Sequence, residues 1–446
     1  MSTRVLSGWG GATHSAATVD EPRTDTEVAK LVQARPHGRL IARGAGRSYG
    51  DAALNAGGHV ADLKGLRSIG PLDERAGTIT AGAGATLGAI LAHTIPSGWM
   101  LPVVPGTQHV SVGGAIASDV HGKNHRAAGS FAGSVAAFSL VTSEGPRVVD
   151  PQCDSDLFWA TAGGMGLTGV ITAATLRLVP LRTPWFETVT SRTGVLGETL
   201  RILDRAAHQH AMAWLDPCAP CDRMGRGVVT SGEPALAEAG ASQSPRARSA
   251  RDESDSGGPI GLMRPSLIRL ASTSYWRMAA PGPTERTVPL GAFLFPFDRL
   301  GSWNRLFGPR GLIQWQGAVP RGSEDALAEL LASYRRHEVV SPLVSLKRFG
   351  SGNPGPLSFP IDGWTIAIDL PAASPELGVL LRRLDSITAQ AGGRVYLAKD
   401  SRLRPSTLRE MYPRLEEWCA VRRRADPAGL MCSDLARRLH LLEAEA

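Results

Sequence analysis

The sequence predicts an α+β fold with two domains. At 446 residues the chain is longer than one ordinary hydrophobic core supports. Up to about Thr183, apolar strand patterns alternate with helical patterns, and glycines stand at their junctions. Beyond that point the glycine motifs become sparse, and strands mix with longer amphipathic helices. These observations indicate two units of different architecture.

The N-terminal elements follow from local patterns. Thr24 and Glu27 form a capping box ahead of "VAKLVQA", which predicts a helix. The stretches "RLIARG" and "HVADL" predict buried strands, and "GTITAGAGATLGAILAHTI" predicts a strand that turns into a helix. The alternation in "VITAATLRLV" predicts a further strand.

The second half of the chain predicts a sheet with helices on one side. Strands are expected at "VPLGAFLFP", "LIQWQGAVP", "LVSLKRFG" and "WTIAIDLP", and helices at "SEDALAELLASYRRH" and "SPELGVLLRRLDSITAQAGG". In the last helix Leu377, Leu380, Leu381 and Leu384 share one face, and Gly392 follows its end. The polar residues of 235–261 predict a disordered loop.

Composition narrows the class of protein. The net charge is +7, but the basic residues are dispersed and do not alternate with stacking aromatics, so no nucleic-acid partner is expected. No stretch approaches the roughly 20 apolar residues of a membrane span, so we expect a cytoplasmic protein, with peripheral membrane contact left open. Cys218 and Cys221 form a lone CxxC without a second pair, and we expect no metal site.

The glycine motifs point to a phosphate-bearing cofactor. Gly164, Gly166 and Gly169 match the spacing of the dinucleotide fingerprint, but a strand follows them where the fingerprint needs a helix, so Rossmann binding of NAD is disfavoured. Four glycine-rich segments remain: "RGAGRSYGD", "AGAGATLG", "PGTQHVSVGGAIASDVHGKNH" and "GGMGLTG". Glycine lets backbone N–H groups approach a phosphate closely, and four such segments together indicate a site rather than turns.

The order of these motifs resembles the vanillyl-alcohol-oxidase superfamily of flavoproteins. The resemblance implies a two-domain FAD-binding PCMH/VAO-type fold with an antiparallel-sheet substrate domain. It also implies an FAD-binding domain over 1–184, completed by 394–446, and a substrate-binding domain over 185–393. Many members attach the flavin covalently through a histidine in the first loop, and here Arg47 holds that place. We therefore expect noncovalent FAD.

A denser resemblance covers most of the chain outside 185–290. "GRSYGD", "GGAIASDVHGKNH", "LFWATAGGMGLTG" and "YLAKDSR" are similar to the decaprenylphosphoryl-β-D-ribose 2′-oxidase family of actinobacterial cell-wall arabinan biosynthesis. This resemblance implies oxidation of the 2′-hydroxyl of decaprenylphosphoryl-β-D-ribose, or of a close polyprenyl-phosphate sugar, to the 2′-keto intermediate. A separate NADH-dependent short-chain reductase would then complete the epimerisation to the arabinose donor.

The resemblance also assigns residues to the cofactor. They belong to the glycine-rich segments and to the segment that carries Tyr396. The implied FAD-binding residues are Arg43, Gly44, Ala45, Gly46, Arg47, Ser48, Tyr49, Pro105, Gly106, Thr107, Val112, Gly113, Gly114, Ala117, Ser118, His121, Gly122, Asn124, Gly169, Ile171 and Tyr396.

Oxidation of a secondary alcohol by flavin needs a group that takes the hydroxyl proton and a positive charge near the reduced ring. A lysine can serve both needs, because burial lowers its pKa. By resemblance, Lys399, Tyr396 and His121 are the implied catalytic residues. Gln314 and Gln316 flank Trp315 on an expected strand and therefore share a face. The implied substrate residues are Tyr49, Lys123, Gln316, Lys347, Thr365 and Lys399.

Four positions depart from the family pattern. Thr365 and Ala367 stand where the family has asparagine and cysteine, and Leu294 and Phe295 stand where it has tyrosine and histidine. These positions are expected to border the substrate. The more apolar wall leaves a second hypothesis open, an FAD-dependent oxidase of a soluble sugar, alditol or nucleoside-like intermediate. A flavin-binding protein without catalysis is disfavoured, because Lys399 and Tyr396 are retained.

Overall fold

The computed structural model describes residues 2–236, 264–337 and 339–442. The predicted disordered loop at 235–261 lies outside the described residues, apart from Ala235 and Leu236. The strands are β1 (Ser2–Ser7), β2 (His14–Asp20), β3 (Leu40–Arg43), β4 (His59–Asp62), β5 (Ile69–Asp73), β6 (Thr78–Gly82), β7 (Trp99–Met100), β8 (Val135–Thr142), β9 (Gly145–Val149), β10 (Val170–Arg177), β11 (Val179–Pro180), β12 (Trp185–Thr193), β13 (His210–Leu215), β14 (Gly227–Pro234), β15 (Thr284–Pro289), β16 (Leu312–Pro320), β17 (Val344–Phe349), β18 (Gly363–Pro371) and β19 (Arg394–Val395).

Helices connect and cover these strands. They are α1 (Asp25–Gln33), α2 (Leu87–Thr94), α3 (Val112–Ala117), α4 (His125–Ala128), α5 (Ser155–Thr161), α6 (Leu196–Asp204), α7 (Pro265–Met278), α8 (Leu290–Leu294), α9 (Glu324–Arg336), α10 (Leu377–Gln390), α11 (Pro405–Met411), α12 (Leu415–Ala425) and α13 (Asp434–Arg438). None of the helices in these described ranges combines the length and the apolar character that crossing a bilayer demands.

The strands form an α+β arrangement, as the sequence predicts. In the first half, a four-stranded sheet has the order β1-β2-β4-β3, and an antiparallel sheet has the order β5-β6-β10-β8-β9. The second half forms one antiparallel sheet, with the order β15-β12-β14-β13-β17-β18-β16-β19. The short β19, from the C-terminal segment, pairs with β16 at the edge of this sheet. The domain boundaries proposed from the sequence stay a prediction.

The local patterns of the first half are confirmed. Thr24 Oγ1 accepts a hydrogen bond from the Glu27 amide at 3.2 Å, which caps α1. The predicted strands appear as β3 and β4, and the strand-to-helix stretch as β6 and α2. A strand, β10, follows Gly169, so the dinucleotide fingerprint is absent from this position as the sequence indicates.

The strand expected at "VPLGAFLFP" is wrong over most of its length. β15 ends at Pro289, and the next residues form the short helix α8. Proline cannot donate to a strand ladder, and its fixed φ suits a helix start. The Lys123 ammonium donates hydrogen bonds to the carbonyls of Phe293 and Leu294. These bonds satisfy carbonyls at the end of the helix, and a distant lysine supplies them.

The two faces of the large sheet have different neighbours. Trp315 points to the face covered by α10, where its Nε1 donates to Asp385 at 2.9 Å. Gln314 and Gln316 point to the opposite face, since successive side chains of a strand alternate. That opposite face closes a cavity against the glycine-rich loops of the first half.

Candidate active site

One cavity contains most of the residues that the sequence singled out. Its first end, here called the glycine-loop end, is formed by 44–49 and 105–118. Its second end, the lysine end, is formed by Lys123, Lys347 and Lys399. Residues from β13, β16, β17 and β18 form the floor beneath the lysine end.

The glycine-loop end brings backbone segments into unusually close approach. A Cβ at Gly44 would overlap Ser111 Oγ and would lie 3.9 Å from the amide nitrogen of Gly114 at the start of α3. Ser111 Oγ accepts a hydrogen bond from the Ala45 amide at 3.2 Å. Gly46 has a φ of +65°, a conformation that favours glycine. The residues Gly44–Gly46 of the loop therefore present mainly backbone to the cavity.

The first loop makes hydrogen bonds to an N-terminal segment and to the C-terminal segment that carries Lys399. The Tyr49 amide donates to the Ala398 carbonyl at 3.1 Å, and the Trp9 amide donates to the Ser48 carbonyl at 2.8 Å. A Cβ at Gly50 would overlap the Asp400 carbonyl oxygen, so the two segments could not approach with a larger residue there. These contacts place the segment that carries Lys399 directly beside the glycine loop.

Lys399 contacts an aromatic ring and is influenced by the charge of a buried carboxyl. Its Nζ lies 3.7 Å from the centroid of the Tyr49 ring, a cation–π contact. Gln314 donates to the carboxyl of Asp369, which is fully buried. Burial lowers the pKa of Lys399, the negative charge of Asp369 opposes this shift, and Lys347 adds to it. Burial also raises the pKa of Asp369. A neutral amine at this position can accept a proton.

The other two lysines of the lysine end are also removed from bulk water. Burial lowers the pKa of Lys347 to about 8. Burial, with a contribution from the charge of Lys347, lowers the pKa of Lys123 to about 7. Lys347 lies on β17 opposite Thr365 of β18. Three amines around one cavity, with one buried carboxyl at its edge, form a site that stabilises an anion.

His121 and Tyr396 contact each other beside these lysines. Their ring centroids are 5.7 Å apart. The Tyr396 hydroxyl donates to the Ser118 carbonyl at 2.6 Å, and burial raises its pKa well above the usual range. Burial also lowers the pKa of His121, and Lys347, His125 and Lys399 lower it further. Both rings are therefore neutral at physiological pH.

Most of the predicted site residues line the cavity, and four do not. Arg43 donates to the carbonyls of Ser7 and Ala53, and Asn124 donates to the Pro102 carbonyl at 2.8 Å, so these two support the loops. Val112 is in the hydrophobic core and Gly122 packs on Val104 and Asn124. The predicted residues that line the cavity are Gly44, Ala45, Gly46, Arg47, Ser48, Tyr49, Pro105, Gly106, Thr107, Gly113, Gly114, Ala117, Ser118, His121, Lys123, Gly169, Ile171, Gln316, Lys347, Thr365, Tyr396 and Lys399.

The structure adds residues that sequence reasoning missed. His109 and Ser111 lie within the glycine-rich segment that begins at Pro105, and the others lie outside the four glycine-rich segments, where only their position in the fold brings them to the site. One sequence feature could have identified Asp369 as a residue near the site. It lies two residues after Ala367, on the same face of a predicted strand. The additional cavity-lining residues include Trp9, His109, Ser111, Met212, Asp298, Trp303 and Ser345.

The four departures from the family pattern divide into two pairs. Thr365 and Ala367 line the cavity, as expected. Leu294 and Phe295 are buried but do not line it, so the expectation that they border the substrate is wrong for their side chains. The carbonyl of Leu294 nevertheless lies 3.4 Å from Lys123 Nζ, so this segment orients a lysine of the cavity.

Two protein-family models match the chain. An FAD binding domain matches residues 16–149, which include the first loop and the Pro105–Asn124 segment. A D-arabinono-1,4-lactone oxidase domain matches residues 369–439, which include Lys399. The two matches therefore include the glycine-loop end and two residues of the lysine end, Lys123 and Lys399. The backbone cradle at Gly44 and the amine beside Tyr49 fit FAD, which carries a diphosphate and a flavin ring that becomes anionic on reduction.

Comparison with characterised proteins gives matches over nearly the full length. Decaprenylphosphoryl-beta-D-ribose oxidase of Mycolicibacterium smegmatis is 37% identical, over 99% of this chain and 98% of that protein. L-gulono-1,4-lactone dehydrogenase of Mycobacterium tuberculosis is 26% identical, over 98% of this chain and 99% of that protein. Alditol oxidase of a Streptomyces species is 31% identical over 40% of this chain and 43% of that protein.

Proposed function

Because this chain belongs to the decaprenylphosphoryl-β-D-ribose oxidase family and is an FAD-dependent oxidoreductase acting on a hydroxyl group, we propose that it oxidises decaprenylphosphoryl-β-D-ribose, or a close polyprenyl-phosphate sugar, at the 2′-hydroxyl. The product would be the 2′-keto sugar. The observation that carries this proposal is the full-length similarity together with the convergence of three lysines on one cavity.

The lysines suit a substrate that carries a phosphate. Lys347 lies on β17, Lys123 contacts the end of α8, and Lys399 lies against Tyr49. Ammonium groups in a partly enclosed site bind an anion strongly, since charge–charge attraction is weakly screened there. A neutral sugar would leave these charges without compensation. We therefore assign Lys347 and Lys123 to the phosphate.

Lys399 would take the proton of the reacting hydroxyl. FAD, when bound, supplies the acceptor for the hydride that leaves the carbinol carbon. As the C–H bond breaks and the carbonyl forms, the hydroxyl proton passes to the neutral Lys399 Nζ. The resulting ammonium faces the Tyr49 ring and the Asp369 carboxyl, and both stabilise it. Tyr396, whose hydroxyl is committed to the Ser118 carbonyl, orients the wall and does not exchange protons.

The test is anaerobic reduction of the purified flavoprotein. Mixing with decaprenylphosphoryl ribose is expected to bleach the flavin absorbance stoichiometrically, while ribose and decaprenyl phosphate, added separately, leave it unchanged. No bleaching by decaprenylphosphoryl ribose would contradict the proposal. Faster bleaching by soluble sugars or alditols would support the second hypothesis, an oxidase of a soluble substrate.

We propose noncovalent FAD on the same basis, since Arg47 holds the position of the attaching histidine. Acid precipitation is expected to release all the flavin into the supernatant as FAD. Flavin that stays with the pellet would contradict this proposal. Conversion of the keto product to the epimeric alcohol requires a reductant. We propose that a separate NADH-dependent short-chain reductase carries out this step.

We also propose that this enzyme is cytoplasmic and contacts a lipid surface through α7. Leu267, Leu270 and Met278 lie on one side of this helix and are exposed, with Met278 84% exposed. The helix has no acidic residue, and Arg264, Arg269 and Arg277 accompany the apolar side chains. This combination suits a bilayer with anionic headgroups. Tyr275 of α7 contacts Trp214 of β13. Met212, two residues earlier on this strand, lines the cavity, and both side chains lie on the same face of β13.

Sedimentation with phosphatidylglycerol vesicles tests this contact. The wild type is expected to sediment with the vesicles, and a Leu270→Glu/Met278→Glu variant is expected to stay in the supernatant. Val148→Glu changes an exposed apolar residue on strand β9, away from α7, and serves as the control. Equal sedimentation of all three proteins would contradict a role for α7. Binding of the wild type to purely zwitterionic vesicles would contradict the role of its arginines.

A further inference from the structure

A chain of hydrogen bonds runs through the lysine end of the cavity and ends on His121. Thr365 Oγ1 donates to the carbonyl of Gly317 at 3.0 Å. Gln316 Nε2 lies 3.1 Å from the same threonine oxygen and 2.9 Å from Nε2 of His121. All three side chains are buried, with exposed fractions of 7% or less. Water therefore does not compete for these bonds.

The chemistry of the groups sets the direction of the chain. A threonine hydroxyl has one proton, and the Gly317 carbonyl takes it, so Thr365 can only accept from Gln316. The amide nitrogen of Gln316 has two protons and no available lone pair, so it donates to both neighbours. Nε2 of His121 is consequently the acceptor. A neutral imidazole that accepts at Nε2 carries its proton on Nδ1.

The surroundings of His121 agree with a neutral ring. Within the described part of the chain Nδ1 is buried and makes no hydrogen bond. The titratable groups that face the ring are Lys347 of β17, Lys399 and Tyr396 of the C-terminal segment, and His125 of α4. None of them is an acid that would stabilise an imidazolium. Phe349 and Phe359 enclose the remaining faces of the ring.

We infer that Thr365 is a positioning residue which, acting through Gln316, holds His121 as the neutral tautomer protonated on Nδ1 and keeps its Nε2 from accepting the substrate proton. His121 then serves as a fixed wall of the site, and the hydroxyl proton goes to Lys399. The sequence had placed Thr365 among the substrate contacts and His121 among the catalytic residues. Only the consequence for the reaction rests on the proposed function; the tautomer does not.

Nitrogen NMR of protein labelled with ¹⁵N-histidine tests the tautomer without any substrate. The His121 signals, assigned from a His121→Asn spectrum, are expected to show a protonated Nδ1 and an unprotonated Nε2 in the wild type. Thr365→Ser keeps the hydroxyl and is expected to keep this pattern. Thr365→Val keeps the shape but frees the Gln316 amide to rotate, and is expected to populate a proton on Nε2. A wild-type proton on Nε2, or an unchanged pattern in Thr365→Val, would overturn the inference.

The rate of flavin reduction supplies the second readout. We expect flavin reduction in Thr365→Val to be about tenfold slower than in the wild type, because one buried hydrogen bond is lost. The rate of Thr365→Ser should lie within about twofold of the wild-type rate. Thr365→Val is also expected to gain an additional ionisation on the acid side of the pH–rate profile, because Gln316 can then present its carbonyl oxygen to an imidazolium. A purely structural role would slow the reaction without a new ionisation. If the valine variant does not fold, the wild-type spectrum still decides.

Discussion

The two ends of the cavity prepare for negative charge by different means. At the glycine-loop end, backbone segments around Gly44 and Gly114 approach closely, and Arg47 of the first loop also lines the cavity. At the lysine end, Lys123, Lys347 and Lys399 supply full charges that burial makes unstable. The first end is therefore sensitive to added atoms. The second end is governed by proton equilibria.

This difference explains how one cavity serves a permanent ligand and a transient one. A backbone cradle cannot lose its dipoles, which suits a cofactor that stays bound. An amine with a lowered pKa can exchange a proton during each turnover, which suits the reacting end. Three substitutions, ordered from the largest expected effect to the smallest, test the comparison.

Lys399→Met removes the proposed proton acceptor. We expect flavin reduction by the lipid-linked substrate to slow by about 10³-fold, within the range of general base catalysis. Stopped-flow absorbance under anaerobic conditions measures the rate. Lys64→Met, at an exposed lysine whose side chain is 65% accessible, is the control and should match the wild type. A Lys399→Met rate within tenfold of wild type would remove Lys399 from its assigned role.

Gly44→Ala adds one methyl group at the glycine-loop end. Because the new Cβ would overlap Ser111 Oγ, the loop must shift away from its position. We expect affinity for FAD to fall about 100-fold, the upper range for overpacking. Fluorescence titration of the deflavinated protein gives the dissociation constant. Gly197→Ala in α6 has open space around its Cβ and should bind FAD normally; equal affinities would show that the cradle is not the cofactor site.

Lys347→Met removes a charge from the lysine end. The KM for the phosphate-bearing substrate should rise about tenfold, since one charged contact is lost. The same change should stabilise the cofactor-free fold by about 2 °C in melting temperature. The pKa of Lys347 is lowered to about 8 in the folded protein from an ordinary value of 10.5, so its charge destabilises the fold below pH 8.

The stabilisation by Lys347→Met must therefore depend on pH. Between about pH 8 and 10.5 the unfolded chain binds the proton more tightly, and the wild-type fold becomes more stable as pH rises. The advantage of the variant should be complete below pH 8 and absent above pH 10.5. Melting curves at pH 7 and pH 10.5 measure this, and an advantage of equal size at both values would contradict a buried charge.

The same variant should move the pH–rate profile slightly. The charge of Lys347 helps to lower the pKa of Lys399, so its removal raises that pKa. The neutral amine then becomes available only at higher pH, and the acid limb of the profile should shift to alkaline pH by less than about one unit. If the acid limb does not shift, or shifts to acid pH, the charge of Lys347 does not lower the pKa of Lys399.

The sequence predicted most of the glycine-loop end and less of the lysine end. Glycine spacing identified Gly44, Gly46 and Gly114 because backbone access is a local property of the chain. Family resemblance was needed for Lys399, and the only local sign of the nearby Asp369 carboxyl was its position two residues after Ala367 on a predicted strand. The erroneous strand at "VPLGAFLFP" has the same origin, since Lys123, about 170 residues away along the chain, completes the helix α8.

By itself the sequence determined the alternation of Gln314 and Gln316, the cap at Thr24 and the glycine loops, because each depends on residues within a few positions of one another. Only the tertiary structure decided that Lys399 faces Tyr49, that Arg43 supports rather than lines the cavity, and that Thr365 reaches His121 through Gln316. Charge, tautomer and pKa depend on desolvation and on neighbours brought together by folding, and no spacing along the chain records them.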